Sequence, residues 1–375
     1  PGGGERWHAA RPRAIQEPVV LHAVFVLPHV FETSLRFLRA SLSLPGVRLG
    51  LVSQAPLEAF EPEIVSRLAG HWQVADALDP ACLVEGVRGI EKQMGRVERL
   101  VGILEHLQVP LAEARAALEL PGLSPQAARR FRDKALMKET LREAGLPCAR
   151  HRLARSAAEA VGFVEELAGP VVVKPPEGAG AVNTFRVGSA DELRQALQTF
   201  APSPARPMLL EEFVVGREHS FDSVRIGGEQ KWHSISDYHP TPLDVLENEW
   251  IQWAVLLPRE IDGPDYGGIR EAAPAALEAL GLETGLSHME WFRRPDGSVA
   301  ISEVGARPPG AQITSLMSFA HDHDMYRAWA GIELFDEFHA PEREHAVGAA
   351  YFRGQGRGRV VAIHGLDQAQ AELGD

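Results

Sequence analysis

The chain has 375 residues, too many for one core of typical size, so two or three domains are expected. Its composition, 45% apolar and 24% charged, is that of an ordinary globular protein, and its net charge of −13 argues against nucleic acid or an anionic membrane surface as the partner. Cys82 and Cys148 form no CxxC pair, so neither a zinc site nor a disulfide framework is indicated, and a reducing, cytoplasmic setting fits. No apolar run approaches the ~20 residues of a membrane helix.

Residues 1–17 begin "PGGGERWHAARPRA", lack an apolar signal core and read as a flexible leader. "VVLHAVFVL" (19–27) is dense in apolar and β-branched residues and predicts a buried strand. Leu35, Leu38 and Leu42 at helical spacing predict a helix over 33–43, and "GVRLGLVS" (46–53) predicts the next strand. This strand–helix–strand start implies a parallel α/β layer over 18–123. A helix over 61–68, a short strand within 70–79, a strand or buried helix start at 101–104 and a helix over 111–118 complete it.

A single helix is expected over 124–144, stopped by Gly145 and Pro147. Strands follow at 150–154 and 170–174, with a helix over 156–168 between them. A second helix over 191–200 has Ser189 as its cap, and a strand over 208–214 follows. Hairpins are expected at 221–226 with 231–236 around "GGEQ", and at 285–292 with 298–304 turned by "PDG". A Pro- and Trp-rich stretch (240–264) and a helix over 274–280 lie between them. The end, "AAYFRGQGRGRVVAIHGLDQAQAELGD", reads as strand, turn, strand and helix start, and a missing C-terminal piece is expected.

Four groups of residues suggest chemistry. "VVVKPPEGAGAVNTFRV" (171–187) puts Lys174 at the end of a buried strand, where its ammonium needs a charge or water. Gly178 and Gly180 then allow backbone to approach a ligand closely. The stretch is neither a Walker loop nor a Rossmann fingerprint. A lysine snorkelling at a turn fits the same residues equally well. Lys134, in "RDKALMKETLREAGLPC", taken singly is a solvated helix residue. "LLEEFVVGREHSFD" (209–222) ends a strand in Glu211 and Glu212, suited either to solvent or to recognition of a planar base, with Glu218 within reach of a ribose diol. In "HMEWFRRPDGSVAISEVGARPPG" (288–310), His288 and Glu290 share one strand face and Glu303 lies on the partner strand. Two facing acids repel unless a cation joins them, and magnesium prefers carboxylate oxygens.

These groups, in this order, resemble the ATP-grasp superfamily over roughly Phe131 to Gly310, in its carboxylate–amine (amino-acid or peptide) ligase branch. The resemblance implies α/β architecture, α+β in the ATP-binding part: an N-terminal parallel α/β domain, then a small subdomain (124–210), a large subdomain with the metal site (211–340) and a C-terminal segment (341–375). Lys134 and Lys174 would hold the α- and β-phosphates, and loop 177–183, with Gly178 and Gly180, would close over them. Glu211, the Glu212 carbonyl and the Val214 amide would read adenine, with Phe213 in the same segment, and Glu218 would hold the ribose. Glu290 and Glu303 would bind magnesium, or manganese in its place. Arg307 would stabilise the transferred phosphate. Gly305 stands where many members have a metal-binding Asn.

The implied activity joins a small-molecule carboxylate to an amine through an acyl phosphate, releasing ADP and phosphate. A ligase using formate or bicarbonate, as in the purine pathway, and a non-catalytic nucleotide-binding module are the rivals. The aromatic-rich stretch 237–253 favours a substrate bulkier than formate, with Tyr238, His239, Trp250 and Trp253 lining an acceptor site or, equally, the tryptophans in the core. His288 would orient a substrate carboxylate, act as a base, or be a satisfied structural histidine. "HDHD" (321–324) reads as a solvated helix start. A homodimer is a family-level expectation, and neither nucleic acid nor membrane is expected as a partner.

Overall fold

The computed structural model describes residues 20–177, 184–199, 201–248, 250–354 and 358–373. The chain opens with β1 (Leu21–Leu27), α1 (Glu32–Leu42), β2 (Val47–Ser53), α2 (Pro62–Arg67), β3 (Gly70–Gln73), α3 (Pro80–Met94), β4 (Arg99–Val101) and α4 (Gln108–Ala117). The strands pair in parallel in the order β3-β2-β1-β4. Ala23, Phe25 and Leu27 enter one core, while Val24 and Val26 enter another on the opposite face. Burial on both faces is why β1 reads as a continuous apolar run. Helix α3 is an element the sequence reading left unassigned, although its start is marked: Asp79 accepts from the Ala81 amide and Pro80 opens the first turn.

The helix expected over 124–144 is two helices, α5 (Pro125–Arg132) and α6 (Lys134–Glu143). Asp133 breaks it. Its backbone is extended, and its carboxylate caps α6 by accepting from the Ala135 amide at 2.8 Å and the Leu136 amide at 3.1 Å. The stop at Gly145 (φ +70°) is as expected.

A small antiparallel sheet follows: β5 (His151–Ala154), α7 (Ala157–Leu167), β6 (Val171–Lys174), β7 (Phe185–Val187), α8 (Ala190–Ala196) and β8 (Met208–Glu212), in the order β5-β8-β6-β7. Ser189 caps α8 by accepting from the Glu192 amide.

The last sheet has six antiparallel strands in the order β13-β12-β9-β10-β11-β14. Its elements are β9 (Arg217–Ile226), β10 (Glu229–His239), α9 (Pro242–Glu247), β11 (Trp253–Leu257), α10 (Gly267–Leu280), β12 (Gly285–Arg293), β13 (Val299–Gly305), α11 (Ile313–Ala320), α12 (Met325–Phe335), β14 (Val347–Tyr351) and α13 (Leu366–Leu373). The β9–β10 hairpin is longer at both ends than the sequence suggested. Its turn is Gly227-Gly228 (φ +59° and +82°), the pair of positive φ values that a two-residue hairpin loop requires. Helix α10 starts at Gly267 and contains Pro274, which the sequence reading took as its start. The second C-terminal strand is absent from 358–364, and "HDHD" ends in Asp324, the cap of α12. Helix α6 packs on α10 and β13, which carries its lysines to the six-stranded sheet. Among the described residues, no helix is long and apolar enough to cross a membrane.

Candidate active site

A cleft of about 580 Å³ separates the small sheet from the six-stranded one. It is lined by Lys134, Lys174, Glu218, Glu290, Glu303 and Arg307, so the scattered polar residues named from sequence meet in one place. A larger, more open hollow of about 670 Å³ around Trp72, Arg88 and Lys92 lies on the first unit, away from these groups.

The hinge between the sheets forms the apolar end of the cleft. Val172, Val214 and Phe292 line it, and Ala149 and Ala300 pack with Val214. The Phe213 amide donates to the Pro170 carbonyl at 3.0 Å, and the Phe213 ring lies against the Arg186 guanidinium. The Glu212 carboxylate accepts from Arg150 at 2.9 Å and Arg294 at 2.7 Å, which pins the hinge to both sheets.

Glu211 does something other than face a base. Its buried carboxylate meets the Lys174 ammonium at 2.9 Å and the Lys138 ammonium at 3.4 Å. Burial alone would raise the carboxyl, but the two ammoniums outweigh it and hold it below the ordinary range. Burial likewise opposes the charge on Lys174, and Glu211 with Glu303 reverses the balance and raises it. Lys138, one turn beyond Lys134 on α6, was not picked out from sequence. It is fully buried, donates to the Ser302 carbonyl at 2.8 Å, and is lowered by burial despite Glu211. Lys134 is itself buried, 2.9 Å from Glu303.

Glu290 and Glu303 are direct partners in the β12–β13 register, beside an irregularity after Glu290. Glu290 is held below its ordinary range: burial pushes it up, and His288, Lys174 and Lys134 outweigh that. His288 bonds through Nδ1 to fully buried Asp222 at 2.6 Å, while its Nε2 stands 3.8 Å from Glu290. Against the cost of burial, the Asp222 carboxylate pushes the imidazole up to about 9. It is therefore a cation at neutral pH, an arrangement that suits orientation of an anion better than a base. Glu218 is pushed well above the carboxylate range by burial and by the neighbouring Glu290.

Arg307 comes from the loop after β13, and its Nε–H donates to Glu105 in the turn after β4. Burial opposes its charge, and Glu105 more than restores it. Glu105 was also missed from sequence, since only the fold brings it to Arg307. Gly178 and Gly180, and all but the first residue of loop 177–183, lie outside the described residues. Trp253 and Tyr238 line the cleft, whereas Trp250 is exposed and neither lines it nor sits in the core.

No family model matches the chain. It is 27% identical over 209 residues to the carbamoyl phosphate synthase large chain of Thermotoga neapolitana, which covers 54% of this chain and 19% of that protein. It is 22% identical over 277 residues to the L-arginine-specific L-amino acid ligase of Bacillus subtilis, covering 72% of this chain and 66% of the ligase. The chain thus spans about a fifth of the carbamoyl phosphate synthases it matches and about two thirds of the ligase. The structure of L-amino acid ligase from Bacillus licheniformis superposes with a TM-score of 0.74 at 19% identity, over 94% of this chain and 84% of that one. These matches bear out the resemblance to the ATP-grasp superfamily. The parallel unit followed by two antiparallel sheets is the ATP-grasp arrangement expected from sequence. This chain departs from the common motif at Gly305, where a Cβ would lie in ordinary contact, 3.5 Å, with both Glu105 and Arg307.

Proposed function

We propose that this chain is an ATP-dependent ligase that joins a small-molecule carboxylate to an amine through an acyl phosphate, releasing ADP and phosphate. The observation that carries the reading is the paired Glu290 and Glu303 carboxylates, flanked by Lys134 and Lys174, with Arg307 on the adjoining loop of the same cleft. This set suits phosphoryl transfer, which asks a protein for positioning and charge neutralisation more than for a nucleophile.

The donor chemistry fits a hard divalent cation: two carboxylates face each other and Glu290 is held ionised. A magnesium ion held by them would screen the charge of the phosphates. In this reading Val172, Val214 and Phe292 sandwich the adenine, and Glu218 faces the ribose. Lys134 and Lys174 bind phosphate oxygens. Glu211 keeps Lys174 charged and, with Lys138, fixes its position. A carboxylate oxygen attacks the γ-phosphorus and ADP leaves. The amine then attacks the acyl carbon, loses a proton, and phosphate leaves. Arg307 stabilises the negative charge in both steps, and His288 as imidazolium orients the substrate carboxylate. The family relation to an L-amino acid ligase and the volume of the cleft support a substrate bulkier than formate.

The test is ADP release with magnesium and ATP across pairs of amino acids and small carboxylates, with products identified by mass spectrometry. ADP formation needing both partners, with a condensed product, is expected. Lys174→Ala and Glu303→Ala should lower it by at least about a hundredfold. Tight ATP binding without ADP from any pair would favour a binding module instead.

A further inference from the structure

Three separate pieces of chain that line the cleft, loop 310–313, helix α9 and Trp253, meet the end of β14. Loop 310–313 holds an unfavourable backbone. Ala311 (φ +49°) and Gln312 (φ +59°) are consecutive non-glycine residues in the left-handed region. Such residues persist only where surrounding structure holds them, and they gather at ligand sites. Here the holding groups are identifiable. From the N-terminal unit, Arg36 on α1 donates to the Gln312 side chain at 2.9 Å and to the Ser315 hydroxyl at 3.1 Å. From the other side, the Tyr351 hydroxyl at the end of β14 donates to the Ala311 carbonyl.

The same strand end reaches the other two pieces. The Tyr351 ring packs on Trp253, with centroids 4.8 Å apart, and the two residues are register partners across β11–β14. The Arg353 guanidinium donates to the Val245 carbonyl within α9, and the Arg353 amide donates to the Gln252 side chain at 2.6 Å. Tyr351 thus holds loop 310–313 together with Arg36 and packs on Trp253, Arg353 just beyond the strand holds α9, and neither Tyr351 nor Arg353 lines the cleft.

We infer that Tyr351 is a positioning residue for the carboxylate and amine substrates: through the Ala311 carbonyl it sets, with Arg36 on the other side, the loop that follows Arg307. The inference rests on the ligase reading for its kinetic consequence, but the clamp itself is testable without it.

Tyr351→Phe keeps the ring on Trp253 and removes only the bond to Ala311. Hydrogen exchange followed by mass spectrometry should show faster exchange in 308–315 than in the native chain, with the hinge 212–216 unchanged. The KM for the carboxylate or amine should rise about fivefold, the loss of one hydrogen bond, with the KM for ATP unchanged. Arg353→Gln should speed exchange in α9 and leave exchange in 308–315 as in the native chain. Unchanged exchange in 308–315, or an equal rise in the KM for ATP, would overturn the inference. If the native chain releases no ADP with any substrate pair, the ligase reading fails while the exchange result still decides the clamp. A variant that unfolds would be recognised by exchange throughout the chain, and Arg36→Gln, which removes the opposite hold on the loop, would then serve in its place.

Discussion

Lys138 shows how a single residue organises the site from behind. Its ammonium is out of reach of solvent and has two partners, Glu211 and the Ser302 carbonyl. Removing one partner of a buried pair costs about 3 to 5 kcal/mol, because the remaining charge is left undercompensated. Glu211 would keep Lys174, so the lower end applies. Lys138→Met should destabilise the chain by about 3 kcal/mol in denaturant unfolding. Glu211→Gln should cost less in that background than in the native chain, because the Lys138 pair is already lost. Strictly additive losses in the two single variants would show that the groups are not coupled. The sequence hid this residue for a physical reason: a lysine four positions after Lys134 reads as the next member of a solvated helix face. Burial depends on what packs there, and α6 is covered by α10 and β13.

At the scale of elements, the C-terminal strand is secured before it begins. His321, at the end of α11, is buried, bonds through Nδ1 to the Glu342 carbonyl at 2.9 Å, and sets its ring edge-on to Trp232 at 5.0 Å. Burial above all lowers the imidazole to about 4, with Arg343 and His323 adding to the effect against the bond to Glu342. A neutral buried imidazole takes up a proton on unfolding between pH about 4 and its ordinary 6.5. Its contribution is therefore complete above about pH 6.5 and is lost as pH falls toward 4. Thermal unfolding from pH 8 to 4 should show the native chain losing up to about 3 kcal/mol relative to His321→Gln, which retains a donor and does not titrate. Parallel curves for the two would refute it. Element type was legible wherever one rule of periodicity held, as in β1 and the β12–β13 hairpin, whose two-residue period put Glu290 opposite Glu303. It failed at Asp133, where a charged residue continues a helical pattern and only the backbone shows the break. It also failed for loop 310–313, because nothing in "PPGAQ" announces that its conformation is held by Arg36 and Tyr351.

At the scale of the whole molecule, the N-terminal unit meets Arg307 of the cleft through the Glu105 carboxylate. Glu105 leaves the turn after β4, accepts from the Arg307 Nε–H and stands 3.8 Å from Arg132. Arg307 also donates to the Pro308 carbonyl at 2.7 Å, so its guanidinium is fixed from two directions. A planar guanidinium can stabilise a developing charge without reorganisation only if it is held beforehand. On the ligase reading, Glu105 is therefore expected to act as a positioning residue for Arg307. Glu105→Gln keeps the shape and weakens the hold, so on the ligase reading kcat should fall about tenfold while the KM for ATP stays constant. A second bridge between the same regions supplies the comparison. Arg99 pairs with Asp336 at 2.8 Å, with the acid half exposed, and an exposed pair contributes about 0 to 1 kcal/mol. Asp336→Asn should leave kcat unchanged. Equal kcat losses in the two variants would mean that the bridges merely hold the units together. A loss confined to Glu105→Gln, with stability close to native by denaturant unfolding, would make the N-terminal unit part of the catalytic apparatus through the one arginine it orients.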